Sequence, residues 1–305
     1  MLIKKIFYKL TNRKKYKKYK NDLAINKKIQ ILKSGFEDEI TKIQNIIKKE
    51  KEISFLHSGH MGDVINALPI IKELSKTHVC NLYLQVNKPL PQNVIGYKHP
   101  GDSIWMSDKM VDMILPLLKY QPYMKKVEKY KDQKIDVDLD LFRKMPINFN
   151  LDEVRWYFHL TGIHTNLSIP YLTVEPSKTV QNKVIIMRST RRKNLFINYK
   201  FTKKYDDLVF IGLNHEYEDL KKEIPNLQFQ DCKDFLEAAQ IIKSSKFFLG
   251  NSSFGFTIAE GLKVPRLMES FPDFPAVYPN GGYGYDFYFQ EHLEKWFDHL
   301  YNLKK

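Results

Sequence analysis

Three short stretches of the 305-residue chain carry side chains able to move a proton and hold a phosphate. The first is HSGHMGD, residues 57–63, where two histidines and an aspartate stand among glycines directly after the apolar run Ile53–Leu56. A carboxylate at such a point takes a hydroxyl proton or caps the helix that follows, and both roles suit Asp63. His57 and His60 flank it, to orient an acceptor or to act as the base instead. Gly59, Met61 and Gly62 belong to the same loop and are expected to face a substrate, with Asp140 and Arg143 joining them from the later run DVDLDLFR.

The second stretch, RSTRRKN, places Arg188, Arg191 and Arg192 just beyond the apolar run Val184–Met187. A guanidinium fork matches phosphate oxygens bidentately, so three arginines at a strand's carboxyl end favour a diphosphate over a merely solvated turn. The third stretch runs from Ser244 to Glu269. Asn251, Ser252, Ser253, Phe254 and Gly255 form a turn of small and capping residues after the apolar Phe247–Leu249, and a helix over Thr257–Leu262 carries Glu260. Exposed N–H groups at such a helix start attract anions, and one carboxylate suits a ribose. An ordinary βαβ crossover has the same local pattern.

These stretches need two lobes to face each other. Strand and helix patterns alternate twice along the chain, which predicts two doubly wound α/β domains over residues 51–176 and 177–275, linked at Pro176-Ser177-Lys178. Strands are expected at Ile53–Leu56, Val79–Val86, Met110–Leu118 and Ile135–Phe142 in the first, and at Val184–Met187, Leu208–Gly212, Leu227–Phe229 and Phe247–Leu249 in the second. Pro69 fits the first helix only near its first turn. Residues 1–50 read as a basic helical extension broken in two at Gly35. Residues 276–305 read as a loop and a helix returning to the first domain.

Composition narrows the class. The apolar fraction of 43% supports real cores. Cys80 and Cys232 are too few and too isolated for a disulfide framework or a zinc site. The net charge of +14 concentrates in lysine runs between Lys4 and Lys51, which suits an anionic membrane surface. No nucleic-acid motif accompanies them, so no nucleic acid is expected as partner. No secretory signal and no membrane-length apolar run are present, which points to the cytoplasm, peripheral to the inner face of a membrane. Asp136, Asp138 and Asp140 alternate as a metal cluster would, but the intervening Val137, Leu139 and Leu141 describe a half-buried strand.

HSGHMGDVINALPIIKEL resembles the N-terminal motif of the heptosyltransferase-like glycosyltransferases (glycosyltransferase family 9-like): Gly-Asp after the first strand, then an apolar helix with Pro six residues on, as Asp63 and Pro69 stand here. DVDLDLF, the helix with Arg155, the basic strand end and DFLEAAQIIKSSKFFLGNSS follow in the order of that family, over residues 53–270. The resemblance implies a GT-B fold, two Rossmann-like domains across a cleft, with the acceptor on the first and a nucleotide-sugar on the second. It implies Asp63 as base, no cofactor and no metal. The donor turn departs from the family's Asp-Thr/Ser-Gly and His: Ser252, Ser253, Phe254 and Thr257 stand there. Glu260 is closer to the ribose-holding Glu of other GT-B enzymes, which leaves UDP-, GDP- or CMP-linked sugars open. The expected activity is transfer of a sugar to a cell-surface glycan or glycolipid, of lipopolysaccharide or capsule type. Two rivals share the scaffold: a sugar-nucleotide epimerase or hydrolase, and a non-catalytic membrane- or partner-docking protein. Oligomeric state is not fixed by the sequence.

Overall fold

The computed structural model describes residues 2–33, 36–90, 103–145, 151–272 and 277–303. The basic extension forms α1 (Leu2–Thr11), α2 (Arg13–Lys33) and α3 (Phe36–Lys49), three helices rather than two; Gly35 lies outside the described residues. Acids at Glu37, Asp38 and Glu39 and lysines at Lys48 and Lys49 complement the α3 dipole at both ends. Helix α3 buries Ile43 and ties itself to the first lobe through Gln44, whose amide donates to the Thr161 carbonyl at 2.5 Å. Helix α1 rests on α2, with Tyr8 edge-on to Tyr19, and leaves Ile6, Phe7 and Leu10 exposed.

The first lobe is a parallel sheet of β1 (Glu52–His57), β2 (Val79–Leu84), β3 (Lys126–Lys129) and β4 (Val137–Asp138), in the order β3-β2-β1-β4. Strands β1 and β2 are packed on both faces, which explains their near-continuous apolar run. Helices α4 (Met61–Leu74), α5 (Asp108–Lys119) and α6 (Val154–Thr161) belong to this lobe. Pro69 sits inside α4 rather than in its first turn. Two strand expectations are corrected. Met110–Leu118 lies in α5, because Val111, Ile114, Leu117 and Leu118 share one buried helical stripe. Ile135–Phe142 narrows to the two residues of β4 and a 3₁₀ turn, Leu139–Lys144, because the Asp138 carboxylate caps the Asp140 N–H at 2.9 Å.

The second lobe is a parallel sheet of β5 (Val184–Met187), β6 (Leu208–Phe210), β7 (Gln228–Phe229), β8 (Phe247–Asn251), β9 (Arg266–Glu269) and β10 (Gly284–Phe287). Read from the β7 edge the order is β7-β6-β5-β8-β9-β10, the 3-2-1-4-5-6 order of dinucleotide-binding sheets. Helices α7 (Asn214–Lys221), α8 (Phe235–Lys243), α9 (Phe254–Leu262) and α10 (Gln290–Tyr301) complete it. The terminal helix was expected on the first lobe. Instead α10 buries Leu293, Phe297 and Leu300 against Phe247 and Phe210 of the second, each worth about 1.5–3 kcal/mol of apolar burial.

The lobes touch through α4 against α9 and α5 against α8. The N–H groups of Tyr171 and Leu172 both donate to the Gly261 carbonyl at 2.9 Å, stitching the first lobe's last segment to the end of α9. In each sheet the strand order reverses beside its first strand, at β1/β4 and at β5/β8. Ligands of open α/β sheets bind beyond the carboxyl ends of strands at such switch points. The residues singled out above gather at the carboxyl ends of β1, β4, β5 and β8, in the turns that follow and in the helices those turns lead into.

Candidate active site

On the first lobe, the turn after β1 is built around Gly59. A side chain there would meet Asp63 Oδ2 at 2.5 Å and His57 Cε1 at 2.9 Å, besides striking the Arg143 guanidinium, so any other residue would have to push these three side chains aside. Asp63 and Arg143 form a short ion pair, and Asp63 Oδ2 also accepts the His60 N–H at 3.1 Å. The capping role left open by the sequence is thus realised alongside an unforeseen ion pair. Arg143 reaches on to Asp140 Oδ1 at 3.1 Å and lies over the Trp105 ring at 4.2 Å. Trp105 in turn packs edge-on against His60. Asp140 accepts the Ser58 N–H at 2.5 Å and the Ser58 hydroxyl, which receives Lys88 Nζ at 2.6 Å. Burial works to raise the Asp140 carboxyl, but the His57 imidazole, Arg143, Lys88 and the Ser58 bonds outweigh it and bring it down to about 2.

His57 is fully buried. Its Nδ1 lies 3.0 Å from the Gly59 N–H and its Nε2 2.8 Å from the Tyr157 hydroxyl, which itself donates to the Asp63 carbonyl at 2.9 Å. That chain assigns the proton to Nε2, and burial lowers the imidazole's proton affinity. Both nitrogens are engaged, so His57 shapes the turn instead of meeting a substrate. Met61 and Gly62 occupy the first turn of α4, with Met61 half-buried on the core.

Sequence reasoning missed four contributors here: Ser58, Lys88, Tyr157 and Glu153. Glu153 is joined to α4 by the Asn66 amide, which donates to its Oε2 at 2.5 Å. Burial and the nearby Asp63 charge hold its carboxyl well above the ordinary range, against the Asn66 bond and Arg143. The signal was an acid at the start of a helix, which tertiary contact alone makes meaningful.

On the second lobe the three arginines separate. Arg188 is buried, bidentate to Glu269 at 2.7 and 3.0 Å, with its guanidinium over the Tyr199 ring and donating to the Ile197 carbonyl. It is consumed inside the lobe, so of the three arginines expected at a diphosphate this one is already paired. Arg191 is exposed. Arg192 is half-buried, over the Phe271 ring at 5.5 Å; burial lowers its proton affinity, and the Glu153 and Asp63 charges of the first lobe raise it.

The turn after β8 is tied to the turn after β5. Asn251 is fully buried, accepting the Ser189 N–H at 3.1 Å and donating to the Ser189 carbonyl at 2.6 Å. Ser253 is the N-cap of α9 and makes no side-chain cap bond. Ser252 is buried, and among the described residues its hydroxyl has no hydrogen-bond partner. Gly255 packs so tightly on Met187 that a side chain would strike its sulfur. Phe254 packs on Phe235 at 4.5 Å, and Thr257 bonds the Phe254 carbonyl at 2.7 Å. Glu260 is not open to a ribose: it is buried between Lys263 and Arg266, with Arg266 Nε at 2.5 Å and the Asn280 N–H at 3.2 Å.

No protein-family model matches the chain, and no curated protein matches it. Solved structures do. A family 9 glycosyl transferase from Veillonella parvula is 12% identical, with a TM-score of 0.54 over 84% of this chain and 90% of its own. E. coli heptosyltransferase WaaC with ADP is 10% identical, with a TM-score of 0.55 over 82% of this chain and 99% of its own. WaaC with ADP-2-deoxy-2-fluoro heptose gives 0.51, at 10% identity, over 75% of this chain and 92% of its own. The chain therefore has the heptosyltransferase-like GT-B fold.

The expectation that such proteins lack a metal needs correction. TibC from enterotoxigenic E. coli, 12% identical over 77% of this chain and 62% of its own at a TM-score of 0.43, is an iron-containing glycosyltransferase. Likeness at that level assigns no iron to this chain. Among the described residues, no group of three or more His, Cys, Asp or Glu is placed to hold an ion.

Proposed function

We propose that the protein transfers a sugar from a nucleotide-sugar to a glycan or glycolipid hydroxyl. What supports this is the meeting of the lobes at the starts of α4 and α9, where a β-carbon on Gly62 would touch Thr257, with the carboxylates Asp63 and Glu153 on the first lobe and the half-buried Arg192 in the turn after β5 on the second. One side of the gap thus offers carboxylates for a proton, and the other offers a cation for a leaving diphosphate. The Ser252 hydroxyl, unpartnered among the described residues, and the start of α9, beside the β5/β8 switch point, suit the same diphosphate. Asp63 and His60 stand at the acceptor side with Gly59, Met61, Gly62, Asp140 and Arg143. Asn251, Ser253 and Gly255 shape the donor turn.

The acceptor is proposed to lie at an anionic membrane. Helix α1 presents Ile6, Phe7 and Leu10 to solvent between Lys4, Lys5 and Lys9, the pattern of a helix that lies in a lipid headgroup layer. Among the described residues no helix is long and apolar enough to cross a membrane.

The test is release of the nucleotide (UDP, GDP, ADP or CMP) from a panel of UDP-, GDP-, ADP- and CMP-sugars with and without cell-surface glycan extracts. Acceptor-dependent release that disappears in Asp63→Asn supports transfer. Acceptor-independent consumption points to the hydrolase or epimerase alternative, and no consumption of any donor contradicts catalysis.

A further inference from the structure

We propose that the arch over residues 189–198, which follows β5, is a second membrane contact, with Leu195 and Phe196 entering the headgroup layer of an anionic bilayer. The inference rests on the membrane reading above and adds to α1 a foothold on the second lobe. Leu195 and Phe196 are 87% and 82% exposed. Single apolar side chains scattered over a surface are ordinary, whereas neighbouring large ones held in water mark a contact surface.

Buried bonds hold this pair out. Asn194 and Ile197 on either side of it are both buried. The Asn194 side-chain carbonyl accepts the Phe196 N–H at 3.0 Å, and its amide donates to the Tyr288 carbonyl at 3.2 Å. The Asn194 N–H donates to Glu269, and Arg188, paired with the same carboxylate, donates to the Ile197 carbonyl at 3.0 Å. The run Asn-Leu-Phe-Ile thus has its ends fastened inside and its middle outside. The Asn198 N–H donates to Gln290 Oε1 at 3.0 Å, so Phe289, itself 62% exposed, stands where the arch is tied down. The arch and Phe289 follow the carboxyl ends of β5 and β10, the end of the lobe that also carries the turn after β8.

Charge selects the occupant. Residues 188–204 carry seven lysines and arginines and no aspartate or glutamate. Arg188 and Lys193 are taken by Glu269 and Asp219, while Arg191, Lys200 and Lys203 are exposed. The first turn of α10 brings one acid, Glu291. An apolar tip flanked by cations matches a surface that is anionic outside and apolar beneath. A second copy of the chain would instead set these cations against one another.

One shallow apolar contact gives only marginal attachment to a bilayer, and lasting attachment takes two. Helix α3 starts at Phe36, which lines a common cavity with Asp138, Leu141 and Lys144 at the carboxyl end of β4. The extension carrying α1 therefore leaves the first lobe at the end that bears the site, as the arch does on the second.

Sedimentation of the full chain with phosphatidylcholine vesicles containing phosphatidylglycerol tests this, using Leu195→Ser with Phe196→Ser. The melting temperature is expected to hold, and vesicle affinity to fall about tenfold or more. In Phe196→Trp, brominated lipid is expected to quench fluorescence beyond the loss seen from the native tryptophans of the unaltered chain. Full vesicle binding by the serine variant, or no added quenching in Phe196→Trp, overturns the arch contact; α1 still stands if Phe7→Ser with Leu10→Ser loses binding. No vesicle binding by the unaltered chain overturns both contacts. A dimer that the serine variant dissolves while keeping its vesicle binding assigns the arch to self-association and overturns the proposal. Should the serine variant melt early, the quenching of Phe196→Trp decides.

Discussion

Gly62 in the first lobe stands against Thr257 in the second: a β-carbon on Gly62 would lie 3.7 Å from Thr257 Cγ2. The starts of α4 and α9 are therefore at van der Waals contact, with room for one methyl group. Gly62→Ala is expected to fold and to gain up to about 1 kcal/mol from helix propensity. Gly62→Leu must displace α9, and is expected to weaken nucleotide binding at least tenfold with little change in melting. Titration of both variants checks the pair.

Arg188 and Arg192 are predicted to differ in kind. Arg188→Ala leaves the fully buried Glu269 without its bidentate partner, and removing one member of a buried pair costs about 3–5 kcal/mol. Denaturant unfolding is expected to show that loss. Arg192→Ala is expected to leave the unfolding midpoint within about 0.5 kcal/mol of the parent.

Asp140 sets an acid limit on stability. Its carboxyl lies at about 2 in the folded state against an ordinary 3.8. The stabilisation, on the order of 2 kcal/mol, is present above 3.8 and is lost as pH falls toward 2. Asp140→Asn should melt earlier than the parent at pH 7, and the gap should close near pH 2 to 3. A gap that stays constant with pH would contradict the pairing.

Helix α1 gives a prediction independent of catalysis. The chain should sediment with phosphatidylglycerol-containing vesicles and not with purely zwitterionic ones, and binding should fall as salt rises. Phe7→Ser with Leu10→Ser should abolish it, since Phe7 and Leu10 are 59% and 80% exposed and form the apolar ridge. Equal binding of that double variant would contradict insertion.

The alternation of strand and helix was legible because most strands here are short apolar runs closed by glycine or polar turns. It failed at α5, where MILPLL is apolar enough for a buried strand and Pro116 argues against a helix, yet the fold accepts proline inside it. The Gly-Asp loop was legible because strand, glycines and helix adjoin in sequence. Glu153 was not, since its hydrogen-bond partner Asn66 lies 87 residues away. The three arginines of RSTRRKN are equivalent in sequence; Glu269, 81 residues beyond Arg188, separates them. Glu260 misled for the same reason: an acid on a short helix looks free until Lys263 and Arg266 close on it.

Calorimetric titration of the full chain with UDP, GDP, ADP and CMP, repeated on Arg192→Ala, tests the central claim most directly. The account predicts that one nucleotide binds and that the variant weakens it by about 10- to 100-fold, the worth of one charge-assisted contact to phosphate. Absence of binding by all four, or equal binding by the variant, would contradict a diphosphate seated across the two lobes.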